Sequence, residues 1–300
     1  MNVFLNFYQH LPEGIISMAF HIGSFAVGWY SLMYMLAFLT VYLLLRWRIK
    51  KGEGNYKLEL IDEFIFYSFL GVLIGGRLGY VIFYNLPYYL ANPWTVISPF
   101  DEAGKFAGIY GMSYHGGLIG VIIATWYFAQ KNKVDFLKWA DFVVPAIPAG
   151  FFFGRIGNFL NGELYGRITA GSWGMYFSAD PLNLRHPSQL YEAFFEGLVL
   201  FLILWLLRPC PHPQPLSLTQ GEGDPASAGP GEGKRGQLFL LYLFLYGLFR
   251  FFIEFFREPD SQIGFVFGFF TLGQILSAIM VIMAFSAIIY HWREKRYNSA

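Results

Sequence analysis

Seven long apolar segments, separated by stretches richer in polar and charged residues, make up nearly half of this chain. From Phe25 to Leu45 no charged residue occurs, and a run of that length crosses a hydrocarbon core of roughly 30 Å as a helix rising ~1.5 Å per residue. Further apolar segments run Phe64–Tyr84, Gly111–Gln130, Phe142–Asn158, Leu190–Leu207, Leu238–Phe256 and Gly264–Tyr290. The pattern predicts an all-α polytopic membrane protein with about seven transmembrane helices. The third and fourth segments are short and glycine-rich, which leaves tilted, broken or partly re-entrant geometry open. Gly71, Gly75 and Gly79 recur at every fourth position, as do Gly116 and Gly120, and Gly150 and Gly154. Small residues at that spacing let membrane helices approach closely.

Composition agrees with the pattern. Of 300 residues, 55% are hydrophobic, 21% aromatic and only 14% charged, far from the soluble norm. A formal net charge of +1 argues against a nucleic-acid partner, which calls for a strongly basic face. The single cysteine, Cys210, excludes an intrachain disulfide and a multi-cysteine metal site. No Lys or Arg precedes Arg46, so the first apolar segment lacks the basic start of a cleaved secretory signal and is expected to be a retained span.

The basic residues orient the spans, because Lys and Arg beside a span stay on the cytoplasmic side. One set of connections carries Arg46, Arg48, Lys50, Lys51, Lys57, Lys131, Lys133, Lys138, Arg208, Lys234, Arg235, Arg293, Lys295 and Arg296; the other carries only Lys105, Arg167 and Arg185. The expectation is an N-terminus outside and a C-terminus inside. The chain reads as one integral-membrane domain over 1–300. Within it, 159–187 mixes Gly, aromatics and Pro as a small outer-face cap, and 209–236 is Pro-, Gly- and Ser-rich and expected to be a disordered cytoplasmic loop.

Four arginines, Arg77, Arg155, Arg250 and Arg257, fall within or at the ends of spans. A mid-membrane arginine costs on the order of 3 kcal/mol on insertion scales and needs a partner or a wet cavity. Snorkelling to the interface is the simpler account for Arg77 and Arg257. Arg155 lies in Gly154–Arg167, where four glycines, two arginines, two asparagines and a glutamate occupy fourteen residues. Arg155 and Asn158 share a helical face, and so do Tyr246, Arg250, Glu254 and Arg257. Glu254 between two arginines either forms a structural ladder or orients a guanidinium toward an anion. His115 begins the third span and is either structural or a general base. His186-Pro187-Ser188-Gln189 precedes the fifth span, with Glu192 in the favourable first turn of that helix. On topology, His115, Asn158 and Arg257 lie towards the outer leaflet, where an anion site is expected. A transporter guiding an anionic lipid accounts for these arginines equally well, although no repeat relates the two halves of the chain. A metal-dependent phosphotransferase would want clustered aspartates, which the spans lack.

These motifs, Gly154–Arg167 with His115-Gly116-Gly117-Leu118-Ile119-Gly120, His186-Pro187-Ser188-Gln189-Leu190-Tyr191-Glu192, Tyr246-Gly247-x-x-Arg250-x-x-x-Glu254-x-x-Arg257, Gly75-Gly76-Arg77-x-Gly79-Tyr80 and Trp29-Tyr30, resemble those of bacterial prolipoprotein diacylglyceryl transferases over nearly the whole chain. The resemblance implies a multi-pass protein of the bacterial inner membrane that works towards the outer leaflet without cofactor or metal. It implies transfer of the diacylglyceryl group of phosphatidylglycerol to the lipobox cysteine of a preprolipoprotein, releasing glycerol phosphate and forming a thioether. Arg155 and Arg250 match the family's essential arginines, and Tyr30, His115, Asn158, Gly166 and Tyr246 match other functional positions. With Glu254 and Arg257 these complete the expected site. The expected partners are phosphatidylglycerol, lipobox peptides and the bilayer. The loop at 209–236 departs from the family, whose connection there is short. Because loop-closure entropy grows only logarithmically with length, deletion of Pro211–Gly233 is expected to leave transferase activity intact; loss of activity in a folded deletion variant would assign the loop a role.

Overall fold

In the computed structural model, which describes residues 3–23, 25–54, 56–84, 86–98, 111–209, 235–259, 264–266 and 268–298, the elements in chain order are as follows. Helix α1 (Val3–Gln9) leads to the hairpin β1 (Met18–Ile22) and β2 (Phe25–Gly28) and helix α2 (Trp29–Lys50). Helices α3 (Leu58–Tyr84), α4 (Leu86–Ala91) and α5 (Tyr114–Lys131) follow, then α6 (Phe136–Val143) and α7 (Ile147–Leu160). The hairpin β3 (Met175–Phe177) and β4 (Asp180–Arg185) precedes α8 (Ser188–Glu192) and α9 (Leu200–Leu207), which a π-helical stretch, Ala193–Val199, joins into one rod. Helix α10 (Gln237–Ile253), the hairpin β5 (Phe265–Val266) and β6 (Phe270–Thr271), and α11 (Leu272–Asn298) complete the chain. Two compact units emerge, Met1–Gly54 with Ala140–Ala300, and Asn55–Trp139.

Among the described residues five helices are long and apolar enough to cross a membrane: Trp29–Lys50, Leu58–Phe83, Phe136–Leu160, Ser188–Leu207 and Leu272–Tyr290. The three hairpins add β structure that an all-α reading omits. Two of them shift span boundaries. Phe25–Gly28 is strand, so the first long helix starts at Trp29 and runs to Lys50. The segment at 264–271 is likewise a hairpin, with Gly264 and Gly268 at φ +64° and +82°, a backbone region glycine adopts without steric cost. Short apolar strands and apolar helices share the same hydropathy, so their composition does not separate them. The segment expected at Phe142–Asn158 is a longer rod, Phe136–Leu160, broken by a 3-10 turn at Val144–Ala146. Pro145 and Pro148 supply no N–H for a continuous helix. Cys210 and nearly all of the 209–236 loop lie outside the described residues.

In the larger unit, small residues set the helix spacing. A Cβ on Gly150 would lie 2.8 Å from Val41 Cγ2, and one on Gly197 would lie 2.8 Å from Phe152 Cα. Thus α7 lies close to α2 on one side and to the π-helical stretch on the other. Gly154 differs from its expected partner Gly150, because nothing stands within 4 Å of a Cβ there. Segment 159–187 packs Phe159, Met175 and Phe177 against Tyr8, Ile15, Tyr165 and Leu190. Tyr8 Oη donates to the Trp173 carbonyl at 3.0 Å and Gln9 Nε2 to that of Ser172 at 3.1 Å, so α1 rests on the β3–β4 segment. Near the other end of α2, Arg48 is buried rather than exposed in a loop. Its Nε lies 2.7 Å from Glu53 Oε2, and it also meets the Phe142 carbonyl. Arg208 Nε joins Glu53 Oε1 at 3.1 Å. Asp141 accepts from the backbone N–H groups of Gly236 (2.6 Å) and Phe239 (2.9 Å), capping α10.

In the smaller unit α3 and α5 cross through their glycines. A Cβ on Gly75 would strike the Gly116 carbonyl and lie 2.8 Å from Gly120 Cα, and one on Gly79 would lie 2.7 Å from Gly116 Cα. Arg77, less than two turns before the end of α3, finds backbone partners beyond α4: Nε donates to the Val96 carbonyl at 2.7 Å and Nη2 to that of Thr95 at 2.6 Å. Its guanidinium lies 5.1 Å from the centroid of the Tyr89 ring. The arginine therefore fastens the chain that follows α4. Gly75→Leu is expected to force α3 and α5 apart and lower thermal stability by about 1–3 kcal/mol or more, whereas Gly154→Ala fits and should raise it by about 0.5–1 kcal/mol through chain entropy. Unfolding in detergent micelles, followed by differential scanning fluorimetry, separates the two.

Candidate functional site

Three elements of the larger unit deliver arginines to one carboxylate. Glu192, at the end of α8, has a side chain with no solvent exposure. Its Oε2 lies 2.9 Å from Arg155 Nε on α7, and its Oε1 lies 2.5 Å from Arg250 Nη1 on α10 and 3.8 Å from Arg257 Nε just beyond α10. Glu254, the residue after α10, is the second hub. Its Oε2 lies 3.1 Å from Arg250 Nη2 and 3.7 Å from Arg257 Nη1, and its Oε1 accepts from Thr271 Oγ1 at 3.1 Å. Glu196, one turn beyond Glu192 on the π-helical stretch, lies 3.8 Å from Arg250 Nη1. Three guanidinium groups thus face three carboxyl groups. The side chains of Arg155 and Arg250 keep 12% exposure, whereas those of Glu192 and Glu196 keep none.

Local structure aims these groups. On α7, Arg155 lies over the Phe151 ring, 4.6 Å from its centroid, and Nη1 donates to Asn158 Oδ1 at 3.4 Å. Asn158 Nδ2 in turn donates to Glu163 Oε1 at 2.8 Å. The turn that places Glu163 follows Gly162, at φ +67°. Ser188 and Gln189 fasten the same turn: Ser188 Oγ donates to the Leu164 carbonyl at 3.0 Å and Gln189 Nε2 to that of Glu163 at 2.6 Å. The polar residues after His186 therefore brace the loop that follows α7, besides starting their own helix.

Gly166 pairs with Arg257 as an isolated antiparallel bridge. A Cβ there would strike the Phe256 carbonyl and lie 2.8 Å from His186 Cβ. Arg167 Nε donates to the Arg257 carbonyl at 2.9 Å. Segment 159–187 is thereby tied to the residue that brings the third guanidinium. Trp173 Nε1 donates to His186 Nδ1 at 3.3 Å, and burial pushes the His186 imidazole below its ordinary value, which suits an accepting, neutral ring. In the β3–β4 hairpin, hydrogen bonds from Asn183 and Arg185 hold the Asp180 carboxyl below the usual range.

Of the residues the sequence singled out, Arg155, Asn158, Arg250, Glu254 and Arg257 join one network with Glu192. Tyr246 stands edge-on to Phe151, with centroids 5.8 Å apart. Tyr30 is half-buried at the start of α2, its Cα 3.6 Å from the place a Gly157 Cβ would take and its Oη donating to Tyr34 Oη at 3.0 Å. Gly166 is a backbone joint of the site. His115 falls in the first turn of α5, in the smaller unit, and its side chain lies outside the described residues. Glu192 holds the arginines rather than merely complementing a helix end, which corrects the sequence reading. Glu196 was missed altogether. Two glutamates four apart in an apolar span were the available signal.

The sequence matches the family described as prolipoprotein diacylglyceryl transferase over residues 17–290. Curated relatives named phosphatidylglycerol–prolipoprotein diacylglyceryl transferase include one from Chlorobaculum tepidum, 45% identical over 99% of this chain and 96% of its own. Another, from Coxiella burnetii, is 41% identical over 96% of this chain and 98% of its own. A third, from Legionella pneumophila, is 40% identical over 93% and 96%. With a match of that extent and a buried arginine–glutamate network assembled from the same motifs, the chain belongs to the prolipoprotein diacylglyceryl transferase family.

Proposed function

We propose that this protein transfers the diacylglyceryl group of phosphatidylglycerol to the thiol of a lipobox cysteine in a preprolipoprotein, releasing glycerol phosphate in the first step of lipoprotein lipidation. The observation that carries this reading is the convergence of Arg155 and Arg250, from separate helices, on one buried carboxylate. A guanidinium has five N–H donors, more than Glu192, Glu254 and Asn158 occupy, and its planar fork suits a phosphodiester. Held in advance, the pair costs no reorganisation when charge builds on the departing phosphate, which is where preorganised donors contribute most. Asn158 and Tyr246 add polar edges, Arg257 a third cation, and Tyr30 a hydroxyl. Glu254 orients Arg250 and Arg257, and Gly166 lets the outer cap reach them.

In the membrane, the five long helices together with α5 and α10 make seven spans. Fourteen of the 21 Lys and Arg residues lie on the connections assigned to the cytoplasm, which puts the N-terminus outside, the C-terminus inside and the arginine network towards the outer leaflet of the bacterial inner membrane. That bias survives the burial of Arg48. In the reaction the cysteine sulfur attacks the diacylglyceryl carbon bonded to phosphate oxygen. The carbon–oxygen bond breaks as the carbon–sulfur bond forms, and glycerol phosphate departs with the electron pair. A thiol with pKa near ~8.5 is mostly protonated at neutral pH, so the sulfur must lose a proton.

Purified protein in phosphatidylglycerol liposomes with a lipobox peptide is expected to add one diacylglyceryl mass to the peptide and release matching glycerol phosphate. Arg250→Ala should lower kcat/KM by about 10²–10³-fold or more, the effect of removing a preorganised donor. Arg155→Lys should also lose at least about tenfold, because an ammonium cannot form the fork; full activity in it would sink the two-pronged hold on phosphate. Glu192→Ala leaves two buried guanidinium groups short of a counter-charge, and stability should fall by about 3–5 kcal/mol, read as a lowered Tm in detergent.

A further inference from the structure

Glu196 is the carboxyl group of the network that the foregoing account leaves without a task. It is 1% exposed, and neither of its oxygens accepts a hydrogen bond among the described residues. Its two neighbours are occupied. Glu192 has cations at 2.5 and 2.9 Å, and Glu254 has one at 3.1 Å and the Thr271 hydroxyl at 3.1 Å. The cation beside Glu196 stands at 3.8 Å, and it is Nη1 of Arg250, the same nitrogen that Glu192 holds. A buried carboxyl with uncommitted lone pairs is costly to maintain. This one sits in a π-helical stretch, Ala193–Val199, a distortion that recurs at functional sites.

Resting on the transferase reading above, we propose that Glu196 is the general base of the reaction. A base must present a free lone pair to the proton it removes, and of the three carboxyl groups Glu196 alone has both oxygens clear of close partners. It also stands 3.8 Å from the guanidinium assigned to the phosphate, the position from which a thiol attacking the carbon beside that phosphate would have to pass its proton. The step balances. The S–H proton passes to a Glu196 oxygen, the sulfur pair forms the S–C bond, the C–O bond breaks, and its electron pair leaves on glycerol phosphate. On product release the proton passes to that phosphate or to water.

Charge accounting favours the same assignment. With all groups ionised, Arg155, Arg250 and Arg257 balance Glu192, Glu196 and Glu254. A phosphodiester brings one negative charge, and the departing monoester carries about two. Protonating Glu196 in the same step removes one negative charge from the network as the phosphate gains one. The transfer therefore makes the arginine pair net positive toward the leaving group at the moment this is needed. An acceptor outside the network would not couple the two events.

The test compares two lipobox peptides, one with cysteine and one with selenocysteine, in phosphatidylglycerol liposomes. A selenol is already ionised at neutral pH and needs no base. Glu196→Gln should lose about 10²-fold or more in kcat with the cysteine peptide, the usual worth of a general base, and come within about threefold of wild type with the selenocysteine peptide, because the deprotonation it can no longer assist is not required. Glu196→Asp, measured the same way, should show a smaller loss with the same recovery and carries the test if the glutamine variant does not fold. Equal losses with both peptides would make Glu196 a structural partner of Arg250 and overturn the proposal. So would full cysteine activity in Glu196→Gln, or selenocysteine recovery of His115→Gln and not of the Glu196 variants. Wild-type protein that modifies neither peptide would instead overturn the transferase reading itself.

Discussion

The carboxylate of Glu192 is the interaction on which the rest of this structure depends. A charge in a membrane span is tolerated only when it is matched, and this one is matched from α7, from α10 and from the residue that follows α10. Removing one partner of such a set leaves the others buried and uncompensated, which is far costlier than never having formed it. The network therefore fixes the mutual placement of three segments more firmly than apolar packing alone, since hydrocarbon tails are nearly as good a partner for leucine as another helix is. Segment 159–187 inherits that placement. Gly166 pairs with Arg257, and Arg167 holds the Arg257 carbonyl at 2.9 Å, so residues 159–187 close over the same arginine that Glu192 and Glu254 attract.

Close backbone approach makes the ion pairs short enough to matter. Gly197 lies against Phe152, where a Cβ would meet Cα at 2.8 Å, and Phe152 is three residues before Arg155. Bringing α7 that near to the π-helical stretch lets Arg155 reach Glu192 at 2.9 Å while its guanidinium stays over Phe151. A side chain at 197 would push α7 away and lengthen the contact of Arg155 with Glu192, while those with Phe151 and Asn158, inside α7, would move with it. A contact near 2.9 Å is also a hydrogen bond, whose strength depends on distance and angle, so helix spacing sets how well the arginine is held. Here the packing of small residues and the electrostatics of the site are one constraint.

That explains how much could be read from the sequence. The apolar segments gave the long helices, because twenty residues without charge have few alternatives. The arginines stood out because charge in a span is expensive, and Glu254 was placed with Arg250 and Arg257 by helical periodicity alone. The glycine crossings of α3 and α5 followed from their four-residue spacing. Glu192 was misjudged, since an acidic residue near a helix start has an adequate local explanation, and only the arrival of Arg155 and Arg250 from distant segments reveals the other role. The hairpins at 18–28 and 264–271 were hidden for a different reason. Their residues are as apolar as the spans they adjoin, and the choice between strand and helix rests there on turns and positive φ values. The partners of Arg77, the backbone carbonyls of residues 95 and 96, were hidden because a carbonyl acceptor leaves no mark in the side-chain sequence.

A second arginine cluster shows why charge alone does not mark a site. Arg48 and Arg208 share Glu53, with Nε–Oε distances of 2.7 and 3.1 Å. Arg48 also takes the Phe142 carbonyl and lies 4.7 Å from that ring's centroid, and Arg208 lies 3.9 Å from the centroid of the Trp205 ring. Each donor face there meets a carboxylate, a carbonyl or an aromatic ring, and Glu53 is shared between two cations with no carboxyl group left over. The carboxylate of that cluster is fully engaged. The network around Glu192 is built from the same residue types but is not complete: one buried carboxyl, Glu196, accepts no hydrogen bond among the described residues. Chemistry requires groups that are held in position yet not fully satisfied. Glu196 beside Arg250 meets that condition, whereas Glu53, taken up by Arg48 and Arg208, does not.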